Sequence, residues 1–384
     1  MQEVRIGLIG TGFMGKAHAT AYKNVPAVFG TELGVPVLTM LADIDEATIE
    51  RNANSFGIAR WTTDWHDLIN DPEVDVVDIT TPNHLHAEMA IAAAQAGKHV
   101  YCEKPLALSA PEAKTIVDAV EAAGVISMVG FNYLKNPIQG FAKEIIESGE
   151  IGEITLFRGQ FDQDILVDPT IPFSWRMDKQ LAGSGALGDL GAHTISLAQF
   201  LLGDTVEVCG TRETVIKERT LAASGSGYAA KADANAGKRG VENEDVIQFL
   251  VQFRNGAIGT LGTSRIGSGR KIGLGYEIQG TKGALVFTQE RMNELQLYRN
   301  NEPSRERGFK TIFAGPDHPH YGAFFGAPGI GLGYNDQKII EAYDLVKAIA
   351  TNTPADPDVR FAYEVNKIID AVLLSCEERR WVTV

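Results

Sequence analysis

Val4-Arg5-Ile6-Gly7-Leu8-Ile9, running into Gly10-Thr11-Gly12-Phe13-Met14-Gly15, decides the fold of this chain. An apolar run with strand character enters a GxGxxG turn, which opens into Lys16-Ala17-His18-Ala19-Thr20-Ala21-Tyr22, a stretch of helical character. In that setting Gly10 permits the tight turn, Gly12 lets a pyrophosphate approach the backbone, and Gly15 allows close helix packing. Phe13 and Met14 lie between these glycines and would flank the same ligand. Glycines outside a strand–turn–helix context would indicate only a loop.

Working outward, strands are expected at 4–9, 37–42, 60–62, 74–79, 99–102 and 125–129, with helices at 44–56, 63–70, 84–96 and 111–123. Six strands joined by right-handed helical crossovers predict an α/β fold, a doubly wound parallel Rossmann sheet over 1–129. The stretch 25–36 reads as a surface loop. Asp43 stands at the end of the second strand, where a carboxylate can accept from the adenosine ribose hydroxyls. A 2′-phosphate would meet like charge there, and Ile44 supplies no compensating cation, so NAD is expected rather than NADP. The alternative for Asp43 is a cap on the following helix. Thr81, Pro82, Asn83, His84 and His86 close the fourth strand and would face the nicotinamide side. Two histidines two residues apart at a helix start do not share a face, which argues against a metal.

Glu103-Lys104-Pro105 follows the apolar run His99-Val100-Tyr101-Cys102 and delivers an amine at the carboxyl end of a strand, where open α/β sheets keep their ligands. The Xaa-Pro bond has only a small trans preference, and a cis Lys104–Pro105 bond could turn the amine into the cleft.

Beyond 130 the rhythm changes. A helix is expected at 137–148, then alternating runs at 154–161, 206–214, 246–253, 258–263, 274–280, 285–288 and 295–298, with Asn255-Gly256 as a hairpin turn. Helices at 336–350 and 363–378 would cover one face, giving an α+β domain over 130–384 with a large, mostly antiparallel sheet. The stretch 221–240 is rich in alanine, glycine, serine and lysine and reads as an exposed excursion. Asp189 and His193 share one helical face if their segment is helical, so the carboxylate can hold the imidazole tautomer; the same spacing would equally serve a pair that braces the helix. A histidine of near-neutral pKa suits removal of a hydroxyl proton during hydride transfer, as does a lysine whose pKa burial lowers. Tyr133, Asp162, Gln163, Trp175 and Arg176 are candidate substrate contacts, because sugar sites combine a flat apolar surface with polar groups. Asp317-His318-Pro319-His320-Tyr321 reads as a cleft lining or a surface turn.

The formal net charge of −14, without a basic block, argues against nucleic acid or an anionic membrane as partner. No apolar stretch approaches the roughly 20 residues of a membrane span. Cys102, Cys209 and Cys376 are an odd, scattered set and suit buried thiols in the cytoplasm.

The glycine turn, Thr81-Pro82-Asn83-His84, Glu103-Lys104-Pro105, Gly130-Phe131-Asn132 and Gly188-Asp189 to His193 stand in the order found in the glucose-fructose oxidoreductase, inositol dehydrogenase and rhizopine catabolism protein family, called Gfo/Idh/MocA. The chain resembles that family over nearly its whole length. The resemblance implies an NAD-dependent dehydrogenase of a sugar, anhydrosugar or cyclitol, with an open-faced sheet that forms a homodimer or homotetramer. It implies Lys104, Asp189 and His193 as the catalytic set, Lys104 and His193 sharing the substrate proton. It also adds Glu103, Lys104, Asn132, Trp175 and Arg176 to the cofactor contacts, and it implies the cis geometry at Lys104–Pro105, which is therefore expected. Pro172-Phe173-Ser174-Trp175-Arg176 and the 221–240 stretch look similar to the levoglucosan and inositol dehydrogenase branch. Tyr133 departs from the arginine that many relatives carry after the asparagine. A glycoside-cleaving enzyme that oxidises transiently with NAD, and a dinucleotide-sensing regulator, are the rival readings.

Overall fold

The alternation of the first third builds β1 (Glu3–Ile9), α1 (Phe13–Phe29), β2 (Val35–Ala42), α2 (Glu46–Phe56), β3 (Trp61–Thr62), α3 (Trp65–Ile69), β4 (Val76–Ile79), α4 (His86–Gln95), β5 (His99–Glu103), α5 (Ala110–Ala123) and β6 (Ser127–Gly130). All six strands are parallel, in the order β3-β2-β1-β4-β5-β6. The order reverses between β1 and β4, so the crevice for a dinucleotide opens at the carboxyl ends of those strands. The computed structural model describes residues 2–224, 231–232 and 237–384.

The chain separates into two units, Met1–Lys135 with Leu332–Glu364, and Asn136–Gly331 with Val365–Val384. This differs from a single division at 129/130. The cause lies in α10 (Tyr334–Thr351), which the sequence assigns to a covering layer of the second domain. Its buried face belongs to the first unit: Phe29 stacks on Tyr343 with ring centroids 4.0 Å apart, and Lys338 pairs with Glu103 at 2.6 Å. The same contacts correct the expected loop at 25–36. Proline lacks the N–H that a helix interior needs, yet α1 continues through Pro26 to Phe29 because Val25 is buried and Phe29 gains the Tyr343 ring.

The second unit holds α6 (Pro137–Glu147), β7 (Ile154–Asp162), α7 (Lys179–Ala182), α8 (Ala192–Leu202), β8 (Thr205–Glu213), β9 (Glu218–Thr220), β10 (Ala222–Ser224), β11 (Lys231–Ala232), β12 (Lys238–Gly240), β13 (Val246–Phe253), β14 (Ile258–Ser264), β15 (Gly273–Gly280), β16 (Gly283–Thr288), β17 (Glu294–Arg299), β18 (Lys310–Phe313), α9 (Tyr321–Phe324) and β19 (Val382–Thr383). α11 (Val359–Glu378) is shared between the units. Nine strands form one sheet in the order β18-β17-β16-β15-β7-β14-β13-β8-β19, antiparallel except for β14 on β7. Asn255-Gly256 forms the expected β13–β14 turn, with Gly256 at φ +90°.

One face of this sheet is packed by α8. Gly159 comes so close that a Cβ there would sit 2.8 Å from the Thr194 methyl, while Phe157 and Phe161 point the same way and are buried. The opposite pleat carries Arg158 and Gln160 of β7, Gln248 and Leu250 of β13, and Ile258 of β14, all exposed. Within the 221–240 stretch, β12 pairs antiparallel with β9 and β11 with β10. Residues 225–230 and 233–236 of that expected excursion lie outside the described residues. Its base is anchored rather than loose: the buried Arg219 guanidinium donates to the carbonyls of Leu166, Asp168 and Ile171.

Candidate active site

The glycine turn has the shape its spacing predicts. Gly10 adopts φ +89°, and a Cβ on Gly15 would lie 2.1 Å from the Gly10 carbonyl oxygen, so neither position admits a side chain. Gly12 has nothing within 4 Å of where its Cβ would be, which leaves room for a phosphate against the N-terminus of α1. The first turn of α1 holds no acidic residue to repel it. Phe13 is 77% exposed beside this opening. The donor set therefore fits a dinucleotide.

Asp43 closes the loop from the end of β2. One oxygen accepts from the Thr11 amide at 2.8 Å and the Thr11 hydroxyl at 2.6 Å, and the other accepts from the Ile44 amide at 2.8 Å. Asn52 donates to the Thr11 carbonyl and hydroxyl. A carboxylate accepts about four hydrogen bonds, so Asp43 keeps capacity for a ribose hydroxyl while holding the turn. Capping of α2 falls to Asp45, whose carboxylate accepts from the Thr48 amide at 2.8 Å. Ile44 is 89% exposed beside it.

At the ends of β4 and β5 the side chains divide into those that reach outward and those that brace from beneath. Thr81, Pro82 and Asn83 stand half-buried at the mouth of β4, and Lys104 is half-buried before a cis bond to Pro105. His86, expected as a cofactor contact, is instead buried, with Nδ1 2.8 Å from the Pro105 carbonyl oxygen and Nε2 3.0 Å from that of Thr81. It joins the two loops, and burial pushes its pKa below the ordinary value despite those carbonyls. The Glu103 side chain also turns inward: one carboxylate oxygen takes His18 at 3.0 Å and Lys338 at 2.6 Å, and the other takes the Lys104 amide at 3.1 Å. Burial alone would raise its pKa, but Lys338 and His18 hold it well below the carboxylate range. Asn132 is buried and donates to Gln337 at 3.1 Å. Tyr133 is buried edge-on against Tyr334, ring centroids 6.0 Å apart. Lys135 pairs with Asp344 at 2.5 Å. His86 and Glu103 thus support the turn that carries Lys104, while Asn132, Tyr133 and Lys135 pack against α10; the sequence did not reveal which way they face.

In the second unit, Leu187–Gly191 forms a π-helical turn that runs directly into α8. Such turns interrupt α-helices frequently at functional sites. Asp189 lies within it, half-buried, and His193 opens α8, buried, with its ring centroid 5.9 Å from that of Phe161. The turn is pinned from β13's approach. Glu244, buried, accepts at one oxygen from the Gly185 amide at 2.8 Å and the Leu187 amide at 2.9 Å. Its neighbours extend the cradle: Asp245 pairs with Arg265 at 2.8 Å, both buried. Asn243 donates to the Arg176 and Ser184 carbonyls, and Arg265 also donates to the Arg176 carbonyl. One buried polar cluster thus holds the backbone of Arg176 and the start of the Asp189 turn. Trp175 and Arg176 form a short 3₁₀ turn with the guanidinium 4.4 Å over the indole.

Asp162 and Gln163 follow Phe161 at the end of β7. Alternation places Asp162 on the opposite pleat from Phe161, the side of Arg158 and Gln160, so the strand does not direct it toward His193. Burial raises its pKa, and Arg270 partly counters this. Gln163 exchanges backbone hydrogen bonds with Ser264 and Gly267. In the 317–321 segment the His318 Nδ1 lies 3.0 Å from the Gly315 nitrogen, its ring packs edge-on against Phe141 of α6 with centroids 4.7 Å apart, and Tyr321 is buried. Among the described residues, no cluster of His, Cys, Asp and Glu has a metal-binding arrangement, and no helix is long and apolar enough to cross a membrane.

Comparison with known proteins bears on the fold and the family. The profile of the oxidoreductase family with an NAD-binding Rossmann fold matches residues 4–131, and that of the GFO/IDH/MocA C-terminal domain matches 141–286. Levoglucosan dehydrogenase of Pseudarthrobacter phenanthrenivorans is 42% identical, covering 100% of this chain and 99% of its own. A levoglucosan dehydrogenase solved in complex with NADH and levoglucosan superposes with a TM-score of 0.94 over 100% of both chains. An NAD binding oxidoreductase from Klebsiella pneumoniae is 47% identical, with a TM-score of 0.93 over 100% of this chain and 99% of that one.

Proposed function

The chain belongs to the Gfo/Idh/MocA oxidoreductases with an NAD-binding Rossmann domain, and we propose that it oxidises a secondary hydroxyl of an anhydrosugar of the levoglucosan kind, with related sugars and cyclitols as further substrates. The observation that carries this reading is the full-length likeness to levoglucosan dehydrogenase, solved with both NADH and levoglucosan, in a chain that carries Lys104, Asp189 and His193 at the family's motif positions. When bound, NAD accepts the hydride from the carbinol carbon. His193 removes the hydroxyl proton, Lys104 hydrogen-bonds the reacting oxygen and shares that proton, and Asp189 orients the imidazole. Gly10, Gly12, Gly15 and Asp43 hold the dinucleotide. Trp175 and Arg176 supply a flat face and a charged fork of the kind sugars use, on backbone fixed by Asn243 and Arg265.

Assays with NAD against levoglucosan, other anhydrosugars, aldoses and inositols at alkaline pH, following NADH absorbance, test the reading. His193→Ala or Lys104→Ala should lower kcat by about 10²- to 10⁴-fold with little change in NAD affinity, and Asp189→Asn by less. Full activity in His193→Ala, or no turnover of any polyol by the wild type, would overturn it.

The exposed pleat with Leu250 and Ile258 is the proposed contact between copies in a dimer or tetramer, which sedimentation equilibrium checks. Three cysteines without a disulfide suit a reducing, cytoplasmic setting.

A further inference from the structure

His18 belongs to no motif used above, yet it lies at the centre of the buried charges beneath Lys104. It projects from α1 with 1% of its surface exposed. Its Nδ1 lies 3.0 and 2.9 Å from the two oxygens of Asp78 in β4, and its Nε2 lies 3.0 Å from Glu103 at the end of β5. Carboxylates accept and do not donate, so satisfying both contacts requires a proton on each ring nitrogen. The Tyr101 ring stacks on the imidazole, centroids 4.7 Å apart.

The groups facing this ring come from every element around it. α1 contributes Tyr22, whose hydroxyl donates to Asp78 at 2.8 Å. β4 contributes Asp78; β5 contributes Tyr101, Cys102 and Glu103. From α10, Lys338 pairs with Glu103 at 2.6 Å and with Glu341 at 2.8 Å, and Tyr334 lies close enough to feel Lys338 and Glu103. Tyr101 donates to Glu341 at 2.5 Å. Three carboxylates therefore share two candidate cations. A neutral His18 would leave Lys338 alone against three anions in a space closed to water, and would point a lone pair at a carboxylate oxygen. Burial drives Tyr22, Tyr101, Cys102 and Tyr334 upward, and the carboxylates drive Lys338 upward, so these five keep their protons through neutral pH.

We propose that His18, as an imidazolium, is the positioning residue of the Glu103-Lys104-Pro105 turn: it ties Asp78 to Glu103, and Glu103 in turn fixes the Lys104 amide, 3.1 Å from its second oxygen. The proposal rests on the dehydrogenase reading only for the role of the Lys104 amine. Burial opposes the charge, but the Asp78 and Glu103 carboxylates outweigh it and raise the histidine to about 9. Because the folded value lies above the ordinary 6.5, the clamp is intact at neutral pH and loosens as the pH rises through the folded value. Loosening frees Glu103 and lets the turn drift, and a displacement of about 1 Å at a reacting group can cost about 10²-fold in rate.

The test uses the full chain with ¹⁵N-labelled histidine and a backbone-assigned Lys104 amide. Both ring nitrogens of His18 should stay protonated at pH 7, and the Lys104 amide resonance should follow the His18 titration on the alkaline side. His18→Gln should abolish that linked shift and lower kcat on the order of 10²-fold, with KM for substrate and NAD affinity little changed. Adding Asp78→Asn to His18→Gln, which restores the charge balance, should recover part of the loss. A His18 ring that is neutral at pH 7, or a Lys104 amide indifferent to its titration, overturns the proposal, as does unchanged kcat in a folded His18→Gln. If His18→Gln fails to fold, the wild-type titration decides alone. If no polyol is turned over, the dehydrogenase reading fails while the linked titration still judges the clamp.

Discussion

Glu244 offers the most direct perturbation of the turn that carries Asp189, the proposed catalytic turn, without touching any residue assigned to substrate. Its carboxylate oxygen takes two amides, Gly185 at 2.8 Å and Leu187 at 2.9 Å, in a site where it is 2% exposed. Glu244→Ala leaves both N–H groups buried and unmet. Each stranded donor costs about 1 to 3 kcal/mol, so the local loss is about 2 to 6 kcal/mol, while the backbone bond from Ala186 to the Glu244 carbonyl and the Asn243 bond to the Ser184 carbonyl remain. Glu244→Gln keeps an oxygen in place and gives up only the charge. It should lose about 1 kcal/mol, the difference between a charged and a neutral acceptor. Amide hydrogen exchange reads this locally, because opening of the 185–191 turn appears as lost protection at Gly185 and Leu187 before the sheet exchanges. In parallel, kcat should fall more than tenfold in the alanine variant, since Asp189 and His193 ride on that turn, while NAD affinity holds. Protection and kcat both at wild-type values in Glu244→Ala would refute the reasoning that this carboxylate positions the turn.

Glycine substitutions separate shape from ligand space. Gly15→Ala brings a methyl to 2.1 Å from the Gly10 carbonyl and should destabilise the fold by about 1 to 3 kcal/mol in thermal melts, whereas Gly12→Ala meets no protein atom within 4 Å and should leave the melt unchanged while weakening NAD in titration calorimetry. Exchanging Asp43→Ser together with Ile44→Arg should shift preference toward NADP by about 1 to 3 kcal/mol; because Asp43 also holds Thr11, the NAD dissociation constant should rise in the same variant, and an unchanged NAD constant would show the anchor to be unimportant.

What was legible in the sequence is what a short segment decides by itself. The GxGxxG turn needs three glycines within six residues, Asp43 needs only the end of its own strand, and Glu103-Lys104-Pro105 follows an apolar run that can only be a strand. The hairpin at Asn255-Gly256 and the period-2 runs of the large sheet are of the same kind. Spacing suggested one helical face for Asp189 and His193; the segment is helical, but Asp189 lies in a π-helical turn and His193 in the α-helix that follows it. Legibility fails where a side chain's direction depends on distant chain. His86, Glu103 and Asn132 sit at motif positions and read as ligand contacts, but they turn inward because their partners wait there. Glu103 and Lys338 are 235 residues apart and the Tyr101–Glu341 pair 240. No local pattern links them. Gln337, Lys338 and Glu341 are buried on a helix that also carries Asn335, Asp336, Asp344 and Lys347, so nothing local marks them out.

Buried ion pairs recover little more than their desolvation cost, and well-packed apolar residues often serve stability as well or better. The cluster of His18, Asp78, Glu103, Lys338 and Glu341 is therefore poorly explained by stability alone. Its geometry points elsewhere. Charged hydrogen bonds have narrow preferred directions, whereas apolar contacts tolerate sliding, so an ionic cluster fixes the positions of its backbone segments more tightly than an oily one. Here the fixed segments are the ends of β4 and β5, which deliver Thr81 and Lys104. The second unit uses the same device, with Asp245, Arg265, Asn243 and Glu244 holding the backbones of Arg176 and the Asp189 turn. Hydride transfer between a carbinol carbon and a nicotinamide needs reacting atoms held at near contact, and in both units the expensive buried charges sit where a small drift would be felt by the residues assigned to the chemistry.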